Sequence, residues 1–226
     1  MRLLAIGLAI SLAACASTPP AEVPAYQHRF ANAVEWSKKF WELGPEIWNQ
    51  TLDTVSVCWL TSVYAAKVMT RQGSGLIVHV TDNHYPDVSS YRGQILHDLG
   101  HEALNRLISA MARETKQSQV AVVGLNPGFM RTERVLMHMT TEEAKRQFRF
   151  DLSESPEYIG RAVAALAADR EVMQKNGELL WACDLAKEYG FTDVDGRYIP
   201  RFDPTAPRQE YPCVNTSART SGQAAR

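Results

Sequence analysis

The sequence predicts an α/β fold built on a parallel sheet, and three features of one stretch carry that prediction. Two short apolar runs, Leu76-Ile77-Val78-His79-Val80 and Val120-Ala121-Val122-Val123-Gly124-Leu125, are continuous rather than alternating, as expected of strands covered on both faces. Between them a helical pattern runs from Ile95 to Arg113, with Leu96, Leu99, Ala103, Leu107 and Met111 on one side. The second run ends in Asn126-Pro127-Gly128, a break at the C-terminal end of a strand. Strand, helix and strand make a βαβ unit, and in open α/β sheets ligands bind at that end of the strands.

The remaining elements follow from punctuation and period. Gly44-Pro45-Glu46 opens a helix over about Glu46 to Thr70, because proline suits the first helical turn. Trp48, Leu52, Val55, Trp59, Val63 and Ala66 recur every three or four residues on it. Leu60 and Tyr64 widen that face, so the helix is buried on two sides or used between subunits. Gly73-Ser74-Gly75 stops it. A second helix is expected over Arg29 to Lys39, and a polar loop over Asp82 to Gly93. Thr140-Thr141-Glu142-Glu143 is an N-cap signature. Ser155-Pro156-Glu157 opens another helix with Ile159, Val163 and Leu166 facing a core, and Glu178 to Cys183 is a third strand candidate. Past Pro204 the chain is polar and loses its period.

A chain of 226 residues is one domain or one domain with appendages. Lys plus Arg number 24 against 25 acids, so nothing suggests a nucleic-acid surface. The four cysteines form no Cys-x-x-Cys pair and no zinc spacing. Leu3 to Ala14 is apolar but too short for an ordinary membrane span, and it runs into Leu12-Ala13-Ala14-Cys15, which resembles a bacterial lipobox. The expected organisation is a signal peptide over residues 1–14, a lipid-anchored tether over 15–28, a folded part over 29–205 and a flexible tail over 206–226. The expected location is the bacterial cell envelope, with the membrane reached through a lipidated Cys15; a misplaced start would make it cytoplasmic. Export would put Cys58, Cys183 and Cys213 in an oxidising compartment, where an odd number leaves at least one thiol free or paired between chains.

Further motifs carry a family resemblance. Phe40-Trp41-Glu42, Ser62-Val63-Tyr64, Val163-Ala164-Ala165-Leu166-Ala167, Cys183-Asp184-Leu185-Ala186 and Tyr189-Gly190-Phe191-Thr192-Asp193-Val194-Asp195-Gly196-Arg197 resemble the short-chain dehydrogenase/reductase family. The resemblance extends from about Arg29 to Ile199. It implies a Rossmann-like three-layer α/β fold, here truncated and with a reduced parallel sheet. It also implies an enzyme that moves a hydride between NAD or NADP and a carbonyl or alcohol. In such an enzyme a tyrosine transfers the proton, and a lysine four residues on lowers its pKa and holds the ribose. A serine orients the substrate, an asparagine supports a proton relay, and a glycine-rich turn holds the pyrophosphate.

Two departures matter. None of the thirteen glycines forms the glycine-rich fingerprint, and the signal-like segment stands where the family has its first βα units. The catalytic positions are also substituted. Counting back from Asn126-Pro127-Gly128, the tyrosine falls on His97, the lysine on His101, the serine on Asp82 and the asparagine on Thr54. None of the eight tyrosines has a lysine four residues on. By resemblance, Pro127, Gly128 and Thr132 are the cofactor-binding turn that faces the nicotinamide amide. His97 and His101 share one helix face at i and i+4. They fit an acid/base pair, a two-ligand metal spacing with Asp82 or His84, or a site that has lost its chemistry, and the last is the expectation, with no metal.

A sheet without its first strands leaves Leu76 to Thr81 with a bare edge that invites a partner chain. Arg29 to Lys39 or a second subunit could cover it. By resemblance, a homodimer is expected through helices about 46–70 and 95–113. The functional expectation is a degenerate NAD(P)-linked oxidoreductase of carbonyl or alcohol substrates. The alternative is a non-catalytic envelope lipoprotein that binds a partner or small ligand.

Overall fold

In the computed structural model of this chain the described residues are 8–11, 39–82 and 95–201. Cys15 and the tether, all but the last residue of the helix expected over Arg29 to Lys39, His84, Cys213 and the tail over 206–226 lie outside them. The chain divides into two compact units, the first holding the described residues up to Asn126 with Ala167–Leu180, the second Pro127–Leu166 with those from Trp181 onward.

The first unit is the α/β layer. Its elements are β1 (Leu8–Ser11), α1 (Pro45–Gln72), β2 (Gly75–Val80), α2 (Ile95–Thr115), β3 (Val120–Asn126) and β4 (Leu179–Trp181), whose last residue falls in the second unit. The sheet order is β1-β2-β3-β4, with β1 and β3 both parallel to β2. Gly75 sits opposite Val120, and the register runs on to Val80 opposite Leu125. Every residue of β2 and β3 is buried, which explains their unbroken apolar runs.

The bare edge expected on β2 is not found. Leu8–Ser11, inside the segment expected to be an export signal, pairs with Leu76–His79. A short apolar run satisfies the backbone groups that an edge strand would otherwise offer to another chain.

Pro45 starts α1 as expected, and Gly73 ends it in the left-handed region at φ 69°, its N–H donating to Met69 O. The buried face of α1 is not the one its large residues suggest. Ile47, Cys58, Ser62 and Met69 are buried, whereas Trp48, Trp59, Leu60, Tyr64 and Val68 are exposed. On α2 the core face is likewise rotated: Leu104, Asn105, Ile108, Met111, Ala112 and Thr115 are buried, and Leu99 is exposed. A helix apolar on most sides does not declare which side meets the sheet; small Cys58 and Ser62 let α1 approach closely. Cys58 and Met69 then pack with Ile77, Leu104, Ile108, Val120 and Val122 in one cluster.

β4 joins β3 through Gly124 N–H to Glu178 O at 2.9 Å and Gly177 N–H to Val122 O at 2.8 Å. Just before it, Asn176 Oδ1 accepts from Val122 N–H and its Nδ2 donates to Ala112 O, each at 2.8 Å, tying strand to helix. A Cβ at Gly124 would press on the end of the Leu179 side chain, which would have to shift. The strand expected over Glu178 to Cys183 is shorter, because Ala182 and Cys183 begin a helix.

The second unit is helical: α3 (Glu133–His138), α4 (Glu142–Gln147), α5 (Pro156–Ala168, whose last two residues belong to the first unit) and α6 (Ala182–Tyr189). Thr132 and Thr141 cap α3 and α4, each side chain accepting from the backbone N–H three residues on. Ile159, Val163 and Leu166 are buried on α5 as expected. Cys58 and Cys183 are buried free thiols.

One core contact has a pH consequence. His79, fully buried in β2, is 2.8 Å from Ser62 Oγ through Nε2. Burial lowers its pKa from 6.5 to about 4. The unfolded chain therefore takes up a proton before the folded one. The contribution is complete above pH 6.5 and is lost as pH falls from there through about 4. Urea denaturation should show the Ser62→Ala/His79→Leu variant losing about 2 to 3 kcal/mol less than the parent between pH 7 and pH 4.5.

Candidate functional site

The site residues of the first unit gather where β2 ends. Two residues past Val80 the chain is fastened to α2 at two levels. Thr81 Oγ1 donates to Asn105 Oδ1 at 2.8 Å, and Asp82 N–H donates to His101 Nδ1 at 3.0 Å. One turn further toward the start of α2, His97 Nε2 lies 4.0 Å from Asp82 Oδ2. His97, His101 and Asn105 are spaced i, i+4 and i+8, so one face of α2 presents two imidazoles and an amide to the strand exit. The imidazole centroids are 4.5 Å apart with the rings tilted by 51°. On its other side His97 Nδ1 is 3.6 Å from Asp98 Oδ1. The side chains of His97, Asp82 and Asp98 are about three-quarters buried.

The structure thus brings together three of the four residues reached by counting back from the strand-end turn, Asp82, His97 and His101. Thr54 lies on α1, with no described side-chain position. The hydrogen bond from Asp82 fixes a chemical state. A ring nitrogen that accepts an N–H carries no proton, so a neutral His101 has its proton on Nε2. Such a ring is no permanent cation and cannot hold a ribose hydroxyl or depress a neighbouring pKa as a lysine ammonium does. Nor does His97 supply a phenol. The residues at these positions therefore do not fit the nicotinamide chemistry that the resemblance implies.

Pro127, Gly128 and Thr132 belong to the second unit. Gly128 adopts φ 89°, a conformation glycine reaches without strain. Thr132 Oγ1 accepts from Val135 N–H at 3.4 Å, so its hydroxyl has a local structural use as the cap of α3.

The dominant polar feature of the second unit was visible in the sequence only as part of a motif. Asp193, its carboxylate fully buried, accepts from Arg131 Nη2 at 2.8 Å, from Ser155 N–H at 3.0 Å, from Val194 N–H at 2.7 Å and from Ser155 Oγ. Around it Arg131 N–H donates to Glu154 O at 2.7 Å, and Glu154 N–H to Phe129 O at 2.9 Å. Burial, and then the Asp193 charge, raise the Glu154 carboxyl well above the usual carboxylate range; Arg131 opposes them. Burial also pushes the Cys183 thiol up to about 12, so at neutral pH it is no nucleophile.

Two outcomes follow for this hub. Asp193→Ala, which removes the buried acceptor shared by Arg131, Ser155 and Val194 and leaves Arg131 with Ser153 and the 3.8 Å contact to Asp195, should cost about 3 kcal/mol in chemical denaturation. Glu154 works in the opposite direction with pH. The unfolded chain loses its proton first, so its contribution is whole below about pH 4.5 and is lost as pH rises toward the elevated folded value. Denaturation midpoints of Glu154→Gln relative to the parent should therefore be higher at pH 8 than at pH 5.

No family model matches the chain. Dehydrogenase/reductase SDR family member 1 of Mus musculus is 35% identical over 172 residues, 72% of this chain and 54% of that protein. The chain thus spans about half the length of the curated relatives it matches. Among solved structures, acetoin dehydrogenase from Enterobacter cloacae is similar at 23% identity and TM-score 0.53, covering 64% of this chain and 57% of that one. A 4-hydroxyisoleucine dehydrogenase mutant complexed with NADH and succinate is similar at 18% identity and TM-score 0.54, covering 67% and 63%. These likenesses concern the fold. With the matched stretch taking in the βαβ unit and the strand-end turn, the chain belongs to the short-chain dehydrogenase/reductase family.

Proposed function

We propose that this chain is a degenerate family member that does not transfer hydride between NAD(P) and a carbonyl or alcohol on its own, and that it acts as a binding protein. One observation carries the reading. At the positions of the family's serine, tyrosine and lysine stand Asp82, His97 and His101, and His101 Nδ1 is committed to the Asp82 N–H. General acid/base work by the imidazoles alone would leave the ribose unheld and the hydride donor unpositioned. Thermal unfolding with 1 mM NADH or NADPH checks it: no rise in Tm is expected. A rise of several degrees with either, together with carbonyl-dependent oxidation of the reduced cofactor, would return the chain to the catalytic class.

The proposed assembly is a homodimer through α1 and α2. It is supported by the exposed run Trp59, Leu60, Tyr64 and Val68 on α1 and by Ile95 and Leu99 on α2, an apolar surface unusual for a monomer. Sedimentation velocity at micromolar concentration should give a dimer, and Leu60→Glu/Tyr64→Glu should give a monomer with the same circular dichroism.

The proposed location is the bacterial envelope, on the strength of Leu12-Ala13-Ala14-Cys15 alone. Cleavage there has a structural cost. Leu8–Ser11 would leave with the signal, and β2 would lose one of its two parallel neighbours. Intact mass of the protein from membranes decides: an acylated chain beginning at Cys15 supports export, and one that retains Leu8–Ser11 overturns it.

A further inference from the structure

We infer that Asp82, His97 and His101 form a binding site for a divalent transition-metal ion of the zinc class. This goes beyond the reading of the chain as a degenerate reductase, and it needs no nicotinamide. Each of the three side chains offers one ligand atom, and these atoms all lie within 4.8 Å of one another. His97 Nε2 and Asp82 Oδ2 are already 4.0 Å apart. Donors around a tetrahedral zinc ion stand about 3.3 Å apart, so side-chain rotation of an ångström or so closes the set. Two imidazole nitrogens and one carboxylate oxygen are a borderline donor set, suited to Zn2+, Co2+ or Ni2+ rather than to Mg2+ or Ca2+. Three protein ligands leave a fourth position for water or a small oxygen ligand.

The surroundings supply a second, separate argument. Asp98 Oδ1 lies 3.6 Å from His97 Nδ1, on the side of the ring away from Asp82. At 3.6 Å this carboxylate is a charged neighbour rather than a hydrogen-bond acceptor, so it adds negative charge behind the ring. Asp82 and Asp98 bring two negative charges to a partly buried cluster whose imidazoles are uncharged when they ligate. The positive end of α2 opposes a cation there, and the two nearby carboxylates offset it. Binding also has to take the His101 lone pair from the Asp82 N–H, or turn that ring over. The lost hydrogen bond is small beside the coordination that replaces it.

Titration of the full untagged chain with Zn2+ alone, followed by calorimetry, and with Co2+ alone, followed by its visible d–d bands, tests the assignment. One equivalent of each ion should bind, with an affinity that falls with falling pH because ligating imidazoles must be unprotonated. His97→Ala, His101→Ala and Asp82→Asn should each weaken binding about tenfold or more. His138→Ala, an exposed histidine of the second unit, should leave it unchanged. Asp82→Asn keeps the side-chain volume and the backbone N–H to His101, so it reads ligation with the fold retained, which circular dichroism verifies. No binding by the parent chain would overturn the assignment. So would an ion held with parental affinity by all three variants, since it would then sit on other groups.

Discussion

The clip between the end of β2 and the middle of α2 is the constraint on which the rest of the site depends. Thr81 reaches Asn105 and the Asp82 amide reaches His101, and these two hydrogen bonds lie where an apolar core gives way to a strand exit. Thr81 and Asn105 are buried, so that bond is made away from competing water and holds the strand end against the helix. With the strand end fixed, Asp82 has little choice of position. The imidazoles at His97 and His101 meet it because a helix stacks residues four apart on one face. The strand exit thus carries a cluster of two imidazoles and a carboxylate.

The same bond sets the state of the ring at the position counted for the family's lysine. An ammonium at the lysine position donates in every direction and accepts nothing. His101 accepts a backbone N–H at the atom nearest the strand, and its state follows from that. The Pro127-Gly128 turn and the capped helix after it belong to the second unit. In the second unit a different interaction does the holding. Asp193 gathers donors from Arg131, Ser155 and Val194, joining segments 62 residues apart around one buried carboxylate. Scaffold and chemistry are thus separable here.

Much of the scaffold was legible. Continuous apolar runs gave β2 and β3, a proline and a glycine bounded α1, and Thr141 announced the start of α4. The buried faces of α1 and α2 were not, because a helix with apolar residues on most sides leaves its orientation to packing. Cys58 and Ser62, rather than Trp59 and Leu60, turn toward the sheet. β1 was hidden for a related reason: an apolar run before a lipobox-like tetrapeptide has the composition of an export signal and of a buried strand alike. The His97, His101 and Asp82 grouping could be located by counting from the strand-end turn. The Ser62 contact to His79 and the Arg131 contact to Asp193 could not, since they join positions that no local period connects.

The state of the His101 ring tests this account most directly, through long-range proton–nitrogen correlation of its imidazole at pH 8 in metal-free protein. The account predicts an uncharged ring with its proton on Nε2 and an Asp82 amide proton hydrogen-bonded to Nδ1. A ring protonated on Nδ1, or one still carrying a positive charge at that pH, would contradict it.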